Sequence, residues 1–348
     1  MRREIEAIPE VVARFLAESA DQVGAAVAAV RRADPAFVAI VARGTSDHAA
    51  IHLRYLIEVE LGIPTGLVAP SVTTIYGAPV RWQGGLVIAV SQSGRSPDLV
   101  AVMEAATGAG ATTITIANDA SSPLAAAAQH VIDCRAGEER SVAATKSYVA
   151  QLAAGAALVG GLSRNGALGR DLGLMPAVLA GSLAAASVAI TDDAPIVAAF
   201  AGSERSIVLS RGFDFPTALE TALKLKETGR LFAEGYSSAD FSHGPVVLSG
   251  PGVPVLAIRP DGLAGPAVDE AVRAAIAAGG DVWVVGGAGL TGPTEDRLIH
   301  LPLPPDLPES LAPLATILPG QLLAEAVSRR RGYDPDAPAG LHKVTLTR

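Results

Sequence analysis

The chain of 348 residues contains a single cysteine, Cys134, and few large rings, with aromatics making up only 4% of it. One thiol excludes an internal disulfide and any metal site built from several cysteines. Positive charge is also scarce: 27 Lys and Arg stand against 35 Asp and Glu, for a net charge of −8, and the longest basic run is the triplet at 329–331. No continuous basic face is available to neutralise nucleic-acid phosphates. Long apolar runs are missing too. The longest near-apolar stretch, 148–162, includes Gln151 and falls short of the ~20 residues that span a bilayer, so it reads as a core helix. Nothing at the N-terminus has the pattern of a signal peptide, which makes a cytoplasmic address the expectation.

What is present is small and aliphatic. Hydrophobic residues form 49% of the chain, largely Ala, Val, Leu and Ile, alongside 36 Gly and 24 Pro. That mixture suits buried parallel strands joined by closely packed helices. The length allows two domains of ordinary size.

Short apolar runs bounded by turn residues predict strands at Phe37–Val41, 86–90, 113–116 and 131–133, and again at Arg205–Ser210, 254–258, 282–285 and 298–301. Gly44 and Gly212, Val90 and Ile258, Thr115 and Trp283, and Val131 and Ile299 are each 168 positions apart. One constant offset across four elements argues that a unit has been duplicated. Ala-rich helical stretches, such as 98–107 and 268–278, lie between the strands. The expected class is α/β: two tandem domains, each a parallel sheet with helices on both faces in three layers. The expected partition is an N-terminal helical arm (1–34, with Pro9 near a helix start), a first domain (35–165), a helical connector (166–195), a second domain (196–330) and an extended tail (331–348).

In such sheets ligands bind beyond the carboxyl ends of the strands. After the first predicted strand comes Arg43-Gly44-Thr45-Ser46. After the second comes Ser91-Gln92-Ser93-Gly94-Arg95-Ser96, with Pro97 and Asp98 opening a helix. This second loop sets three hydroxyls, a carboxamide and glycine-permitted amides at a helix N-terminus, the arrangement that holds a phosphate by hydrogen bonds and dipole; the alternative is a serine-capped loop with no ligand. Its counterpart in the second half, Arg259-Pro260-Asp261-Gly262, lacks the hydroxyls, so only the first copy is expected to bind phosphate.

The second half carries other chemistry. Glu220, Lys224 and Glu227 fall at i, i+4 and i+7 of the run 218–230 and so share one helical face, which is either a solvated ion-pair stripe or part of a cleft. His243, in Phe241-Ser242-His243-Gly244-Pro245, stands in a turn where an imidazole could meet a ligand, although a lone loop histidine is more often structural. Lys343 would ordinarily be dismissed as a surface lysine in a tail. His48 and His52 are spaced i, i+4 but lack a third metal ligand.

These segments together resemble the isomerase half of glutamine:fructose-6-phosphate aminotransferase and the glucosamine-6-phosphate deaminases of the SIS (sugar isomerase) type. The likeness runs through Glu4-Ile5 with Pro9, Gly44-Thr45-Ser46, Ser91-Gln92-Ser93-Gly94, Ser141-Val142-Ala143-Ala144-Thr145-Lys146, Ala218-Leu219-Glu220, Ala222-Leu223-Lys224-Leu225-Lys226-Glu227, Phe241-Ser242-His243-Gly244-Pro245 and Leu341-His342-Lys343. The resemblance implies that Ser91, Gln92, Ser93 and Ser96 hold the phosphate, with Thr45 and Ser46 near the sugar and Val142 and Ala144 lining the site. It gives Glu227 the proton transfer between C1 and C2, and His243, supplied in relatives by the neighbouring subunit, the opening of the sugar ring. Lys343 becomes the tail lysine able to form a Schiff base, supported by the charges of Glu220 and Lys224. A homodimer is implied, in which neither half-chain is active alone. No metal or organic cofactor is called for, because a C2 proton shift with imine chemistry needs only an acid, a base and an amine.

Three departures from the family pattern bear on the reaction. The chain opens Met1-Arg2-Arg3, without the N-terminal cysteine of a glutamine amidotransferase. Ala144 replaces a serine, and Arg95 an acidic residue. The expected reaction is therefore breakdown of glucosamine 6-phosphate to fructose 6-phosphate and ammonia. The alternatives are dehydration of N-acetylglucosamine 6-phosphate, which Ala144 would admit, deglycation of a fructosamine 6-phosphate, and a non-catalytic sugar-phosphate sensor.

Overall fold

The computed structural model describes residues 1–164, 166–259, 261–286, 298–301, 303–304 and 306–343. Pro260 of the second-half loop and residues 344–348 of the expected tail lie outside them. The chain forms two compact units, one holding residues 10–139 and 146–175 with His342 and Lys343, the other residues 1–9, 140–145 and 176–341.

The first-sheet unit has five parallel strands, β1 (Phe37–Val41), β2 (Thr65–Leu67), β3 (Gly85–Ser91), β4 (Thr112–Ala117) and β5 (His130–Asp133), in the order β2-β1-β3-β4-β5. Along β3 the side chains alternate between faces. Val87 and Ala89 pack on Leu99, Val102 and Met103 of the Pro97–Gly108 helix. Leu86, Ile88 and Val90, equally buried, point the other way, where the Thr45–Leu61 helix packs on β3 and the Lys146–Leu162 helix on β4. Burial on both faces is why the central strands read as unbroken apolar runs. The Ala20–Ala33 helix of the expected arm packs in this unit against Lys146–Leu162 and β5. Cys134 sits one residue past β5, not within a strand, and burial pushes its thiol well above the usual range, helped by the Asp133 and Glu139 carboxylates.

The second-sheet unit has β6 (Arg205–Ser210), β7 (Phe232–Ser237), β8 (Pro254–Arg259), β9 (Asp281–Gly286) and β10 (Leu298–His300), all parallel, in the order β10-β9-β8-β6-β7. Read from its other edge, this is the strand order of the first sheet. The Gly265–Ala277 helix covers one face, with Val268, Ala271, Val272 and Ala275 against Val255 and Ala257 of β8. The Phe215–Gly229 helix packs on β6 and β7, and the Pro313–Arg330 helix lies against it and β9. Sequence reading missed β2 and β7, both at sheet edges. The first has three residues, and the second, Phe-Ala-Glu-Gly-Tyr-Ser, lacks the apolar density of a buried strand.

Residues Glu309–Arg330 form a stretch long and apolar enough to cross a membrane by length and composition, longer than the 148–162 run singled out in the sequence, and its most apolar window is 100% buried within the protein. Where this helix meets Phe215–Gly229, polar groups are buried and paired: the Thr228 hydroxyl donates to the Ala324 carbonyl at 3.2 Å and the Ser328 hydroxyl to the Thr228 carbonyl at 2.9 Å. Gly320 permits the close approach, since a Cβ there would lie 2.2 Å from Thr221 Oγ1 and 2.8 Å from its Cγ2. Gly320→Ala should therefore lower stability by about 1–3 kcal/mol through overpacking. The added change Thr221→Ala should recover part of that loss, as read by urea unfolding of the two variants; an unchanged midpoint in Gly320→Ala would show that the helices have room to spare.

Candidate active site

In the first-sheet unit the loop after β3 is built from its own hydroxyls. The Gly94 amide donates to Ser91 Oγ at 3.0 Å and the Arg95 amide to Ser93 Oγ at 3.3 Å. Gly94 has φ +63°, and a Cβ there would lie 2.1 Å from Ser122 Oγ, so both backbone shape and space require glycine. Ser96 is the N-cap of the Pro97–Gly108 helix, but its side chain makes no capping bond. Asp98, fully buried in the first turn, pairs with Arg43 at 2.9 Å and so ties the loop after β1 to the loop after β3. Thr45 opens the Thr45–Leu61 helix behind Gly44, whose φ is +55°, and Ser46 accepts a hydrogen bond from Gln151 Nε2 at 3.0 Å. Burial raises the Asp47 carboxyl in the same helical turn, against the attraction of His48 and Arg43.

A cavity of about 310 Å³ opens beside this loop, lined by Gln92, Ser93, Arg95, Asn118, Glu139 and Lys343 among others. Lys343 Nζ reaches Glu139 Oε2 at 3.4 Å. Glu139 is itself buried and held by Ser147, whose amide and hydroxyl donate to it at 3.1 and 2.6 Å. The tail lysine is thus held beside the loop after β3 by an anchored carboxylate. Across the cavity, Asp119 is held below the usual carboxylate range by hydrogen bonds from the Ser121 hydroxyl and amide, and it pairs with Arg95 at 3.1 Å.

In the second-sheet unit the Phe215–Gly229 helix carries the charged face read from the sequence, and that face is not a solvated stripe. Lys224 and Glu220 are fully buried and Glu227 is a quarter exposed; Lys224 lies 3.4 Å from Glu220 and hydrogen-bonds Glu227. Burial works against the Lys224 ammonium, but the carboxylates of Glu220 and Glu227 outweigh it and raise its pKa above the ordinary lysine value. Val142 and Ala144 are half-buried in this unit. Their segment is clamped by the Val142 amide donating to the Asp336 carbonyl at 3.0 Å and by Gln321 Nε2 donating to the Thr145 carbonyl at 3.2 Å. His243 is exposed at the end of the Ser238–Ser242 helix, and its ring makes no hydrogen bond or ion pair among the described residues. The predicted residues therefore fall into two sets: Thr45, Ser46, Ser91, Gln92, Ser93, Ser96 and Lys343 in one unit, and Val142, Ala144, Glu220, Lys224, Glu227 and His243 in the other. Among the described residues no group of three or more His, Cys, Asp or Glu could hold a metal ion.

Glu139, Arg43 with Asp98, and Asp214 escaped the sequence reading. Each acts through a partner distant in sequence or through an irregular loop without periodicity. Asp214, the N-cap of the Phe215–Gly229 helix, accepts from Thr217 at 2.9 Å and from Thr316, while its second oxygen is buried.

The SIS domain family matches residues 33–160. A solved structure assigned as a phosphosugar isomerase, from Silicibacter pomeroyi, is 38% identical with a TM-score of 0.86, covering 97% of this chain and 99% of that one. The chain belongs to the SIS domain family. Its homologues include the isomerase half of glutamine–fructose-6-phosphate aminotransferases. The Methanothermobacter thermautotrophicus enzyme of that name is 35% identical over 99% of this chain and 56% of its own length. The C-terminal domain of the Francisella tularensis glucosamine-fructose-6-phosphate aminotransferase matches with a TM-score of 0.87 at 26% identity, covering 97% of each chain. The chain spans about half the length of the curated relatives it matches.

Burial pushes the Asp214 carboxyl up to about 7, opposed by the Thr316 and Thr217 hydroxyls and assisted by repulsion from Glu309. A carboxyl raised in the folded state binds its proton more tightly there than in the unfolded chain. Its contribution to stability is complete below about pH 4 and is lost as pH rises through about 7, by up to about 4 kcal/mol. Asp214→Asn, which keeps an acceptor for both hydroxyls, should flatten the stability profile between pH 4 and 7. Urea unfolding across that window checks it, and an unaltered slope would remove the role given to Asp214.

Proposed function

We propose that the chain is an amino-sugar-phosphate isomerase and deaminase built from two tandem SIS domains, converting glucosamine 6-phosphate and water to fructose 6-phosphate and ammonia. The observation that carries this reading is the meeting of Lys343, anchored by buried Glu139, with the cavity beside Gln92 and Ser93. An amine at a hydroxyl-lined helix N-terminus suits an open-chain sugar bearing a carbonyl at one end and a phosphate at the other. The shared strand order of the two sheets supports the tandem arrangement.

In this reading the phosphate rests on Ser91, Gln92, Ser93 and Ser96, with Thr45, Ser46, Val142 and Ala144 about the sugar. His243, supplied by a second copy of the chain in a homodimer, opens the ring by moving a proton between the C1 hydroxyl and the ring oxygen. Glu227 removes the C2 proton and returns it to C1 while a proton passes from the amino nitrogen to the C1 oxygen, leaving a hydroxyl at C1 and an imine at C2. Water adds to C2, the C–N bond breaks, and ammonia leaves with its electron pair and the protons that the addition supplied. Lys224 remains an ammonium between Glu220 and Glu227 and fixes the position of the working carboxylate.

Ammonia and fructose 6-phosphate should appear in equal amounts when the purified chain is incubated with glucosamine 6-phosphate, and absence of ammonia would sink the deaminase reading. Loss of water from N-acetylglucosamine 6-phosphate, followed by mass, would instead select a dehydratase, for which the small Ala144 leaves room. Glu227→Gln should cut turnover by about 10²–10⁴-fold while leaving sugar-phosphate binding measurable. Turnover close to that of the parent chain would refute the role of Glu227.

A further inference from the structure

The 168-residue offset found in the sequence recurs in the elements themselves. β3 and β8 end at Ser91 and Arg259, and the helices after them begin at Pro97 and Gly265. Gly262, Leu263 and Ala264 are therefore the counterparts of Gly94, Arg95 and Ser96, and Gly212 (φ +61°) is the counterpart of Gly44 (φ +55°). The two turns satisfy their amides differently. In the first the partners are the loop's own hydroxyls, Ser91 and Ser93. In the second the Leu263 amide donates to Glu309 Oε2 at 2.8 Å and the Ala264 amide to Glu309 Oε1 at 3.2 Å, so that one carboxylate takes both donors. The side chain arrives from 45 residues further along the chain.

Neighbouring positions are shaped around this carboxylate. A Cβ on Gly262 would lie 2.3 Å from Glu309 Oε2, so the backbone there is open to admit it, and a Cβ on Gly212 would lie 3.6 Å from Oε1. The arginine that ends β8, Arg259, pairs with other carboxylates, Asp269 at 3.1 Å and Asp261 at 2.7 Å. A second carboxyl, Asp214, lies close enough to feel the charge of Glu309. Two paired amides at the start of a 13-residue helix are a setting that attracts an anion. Here the anion belongs to the protein.

We infer that Glu309 is a built-in anion that occupies the second copy's phosphate cradle and so limits the chain to one sugar phosphate. This rests on the reading of the first loop as the phosphate site. The carboxylate does by charge and by shape what loss of the hydroxyls alone would leave incomplete, because bare amides at a helix N-terminus would still attract phosphate.

Equilibrium dialysis of the full chain against inorganic phosphate tests the inference by stoichiometry. The parent chain should bind one phosphate and Glu309→Ala two; Ser91→Ala/Ser93→Ala, which keeps the first loop's amides, should still bind one but several-fold more weakly, and the triple variant two. A Glu309→Ala chain that unfolds cooperatively yet still binds no more phosphate than its parent would overturn the inference. If Ser91→Ala/Ser93→Ala binds phosphate as the parent does, the first-loop reading fails, and the increment on replacing Glu309 still decides the second. Should Glu309→Ala not fold, the parent chain crystallised at saturating phosphate decides: Glu309 on the Leu263 and Ala264 amides supports it, whereas phosphate on those amides with Glu309 turned away refutes it.

Discussion

A parallel strand cannot be followed by a hairpin, and the chain must return along a helix or loop before it pairs again. In both sheets of this protein that constraint sends the carboxyl ends of the strands to one edge, where turns lead into helix N-termini with unpaired amides and a positive dipole end. Four such helices follow the first and third strands of the two sheets, and each has a carboxylate at its mouth. Asp47 and Asp98 lie in the first turns of the Thr45–Leu61 and Pro97–Gly108 helices, Asp214 stands at the N-cap position of Phe215–Gly229 with its carboxyl turned to the Thr217 and Thr316 hydroxyls, and Glu309 meets the turn before Gly265–Ala277. Meeting those amide donors is one task of the polar interior, and in the proposed function phosphate binding is one way of doing it.

The Phe215–Gly229 helix shows how far burial changes the meaning of a pattern. Charges at i, i+4 and i+7 on a surface contribute a few tenths of a kcal/mol per pair. Here Glu220 and Lys224 are fully enclosed, and removal of one member of such a set typically costs about 3–5 kcal/mol, since it leaves an uncompensated buried charge. A cluster held at that cost is set firmly in place. Glu227 is the one member that reaches solvent, and it is the member to which the proposed function gives the proton transfer.

Legibility in the sequence followed locality. Central strands such as Phe37–Val41 and Arg205–Ser210 announce themselves because burial on both faces leaves only apolar residues. Thr65–Leu67 and Phe232–Ser237 do not, because the first has only three residues, two of them exposed, and the second carries glycine and glutamate in place of an apolar run. The hydroxyl loop 91–96 was visible as a unit because its partners are its own neighbours. Glu139 was not, since its significance depends on Lys343, 204 residues away, and the same holds for Asp214 with Thr316. The solvated-stripe alternative for Glu220, Lys224 and Glu227 could not be rejected until burial was known, because periodicity reports which face is shared and not what covers it.

The two strand-to-helix turns differ in a way that would bear, on the proposed tandem reading, on how duplicated sites diverge. Amide donors at a strand-to-helix turn persist as long as the fold does, so a copy that stops binding its ligand cannot simply fall silent; its donors still need an acceptor. A serine hydroxyl meets that need reversibly, because it can rotate away and then hydrogen-bond the arriving anion itself. A carboxylate meets it more permanently, because displacing it by phosphate would leave two negative charges competing for the same pair of amides. If the proposed reading holds, replacing hydroxyls within the loop by one acid supplied from a distant turn converts an exchangeable site into a structural one, with a change in the turn itself: Gly94 has φ +63°, whereas Gly262 has no positive φ. That explains how the two sheets retain one topology while their cradles take different partners.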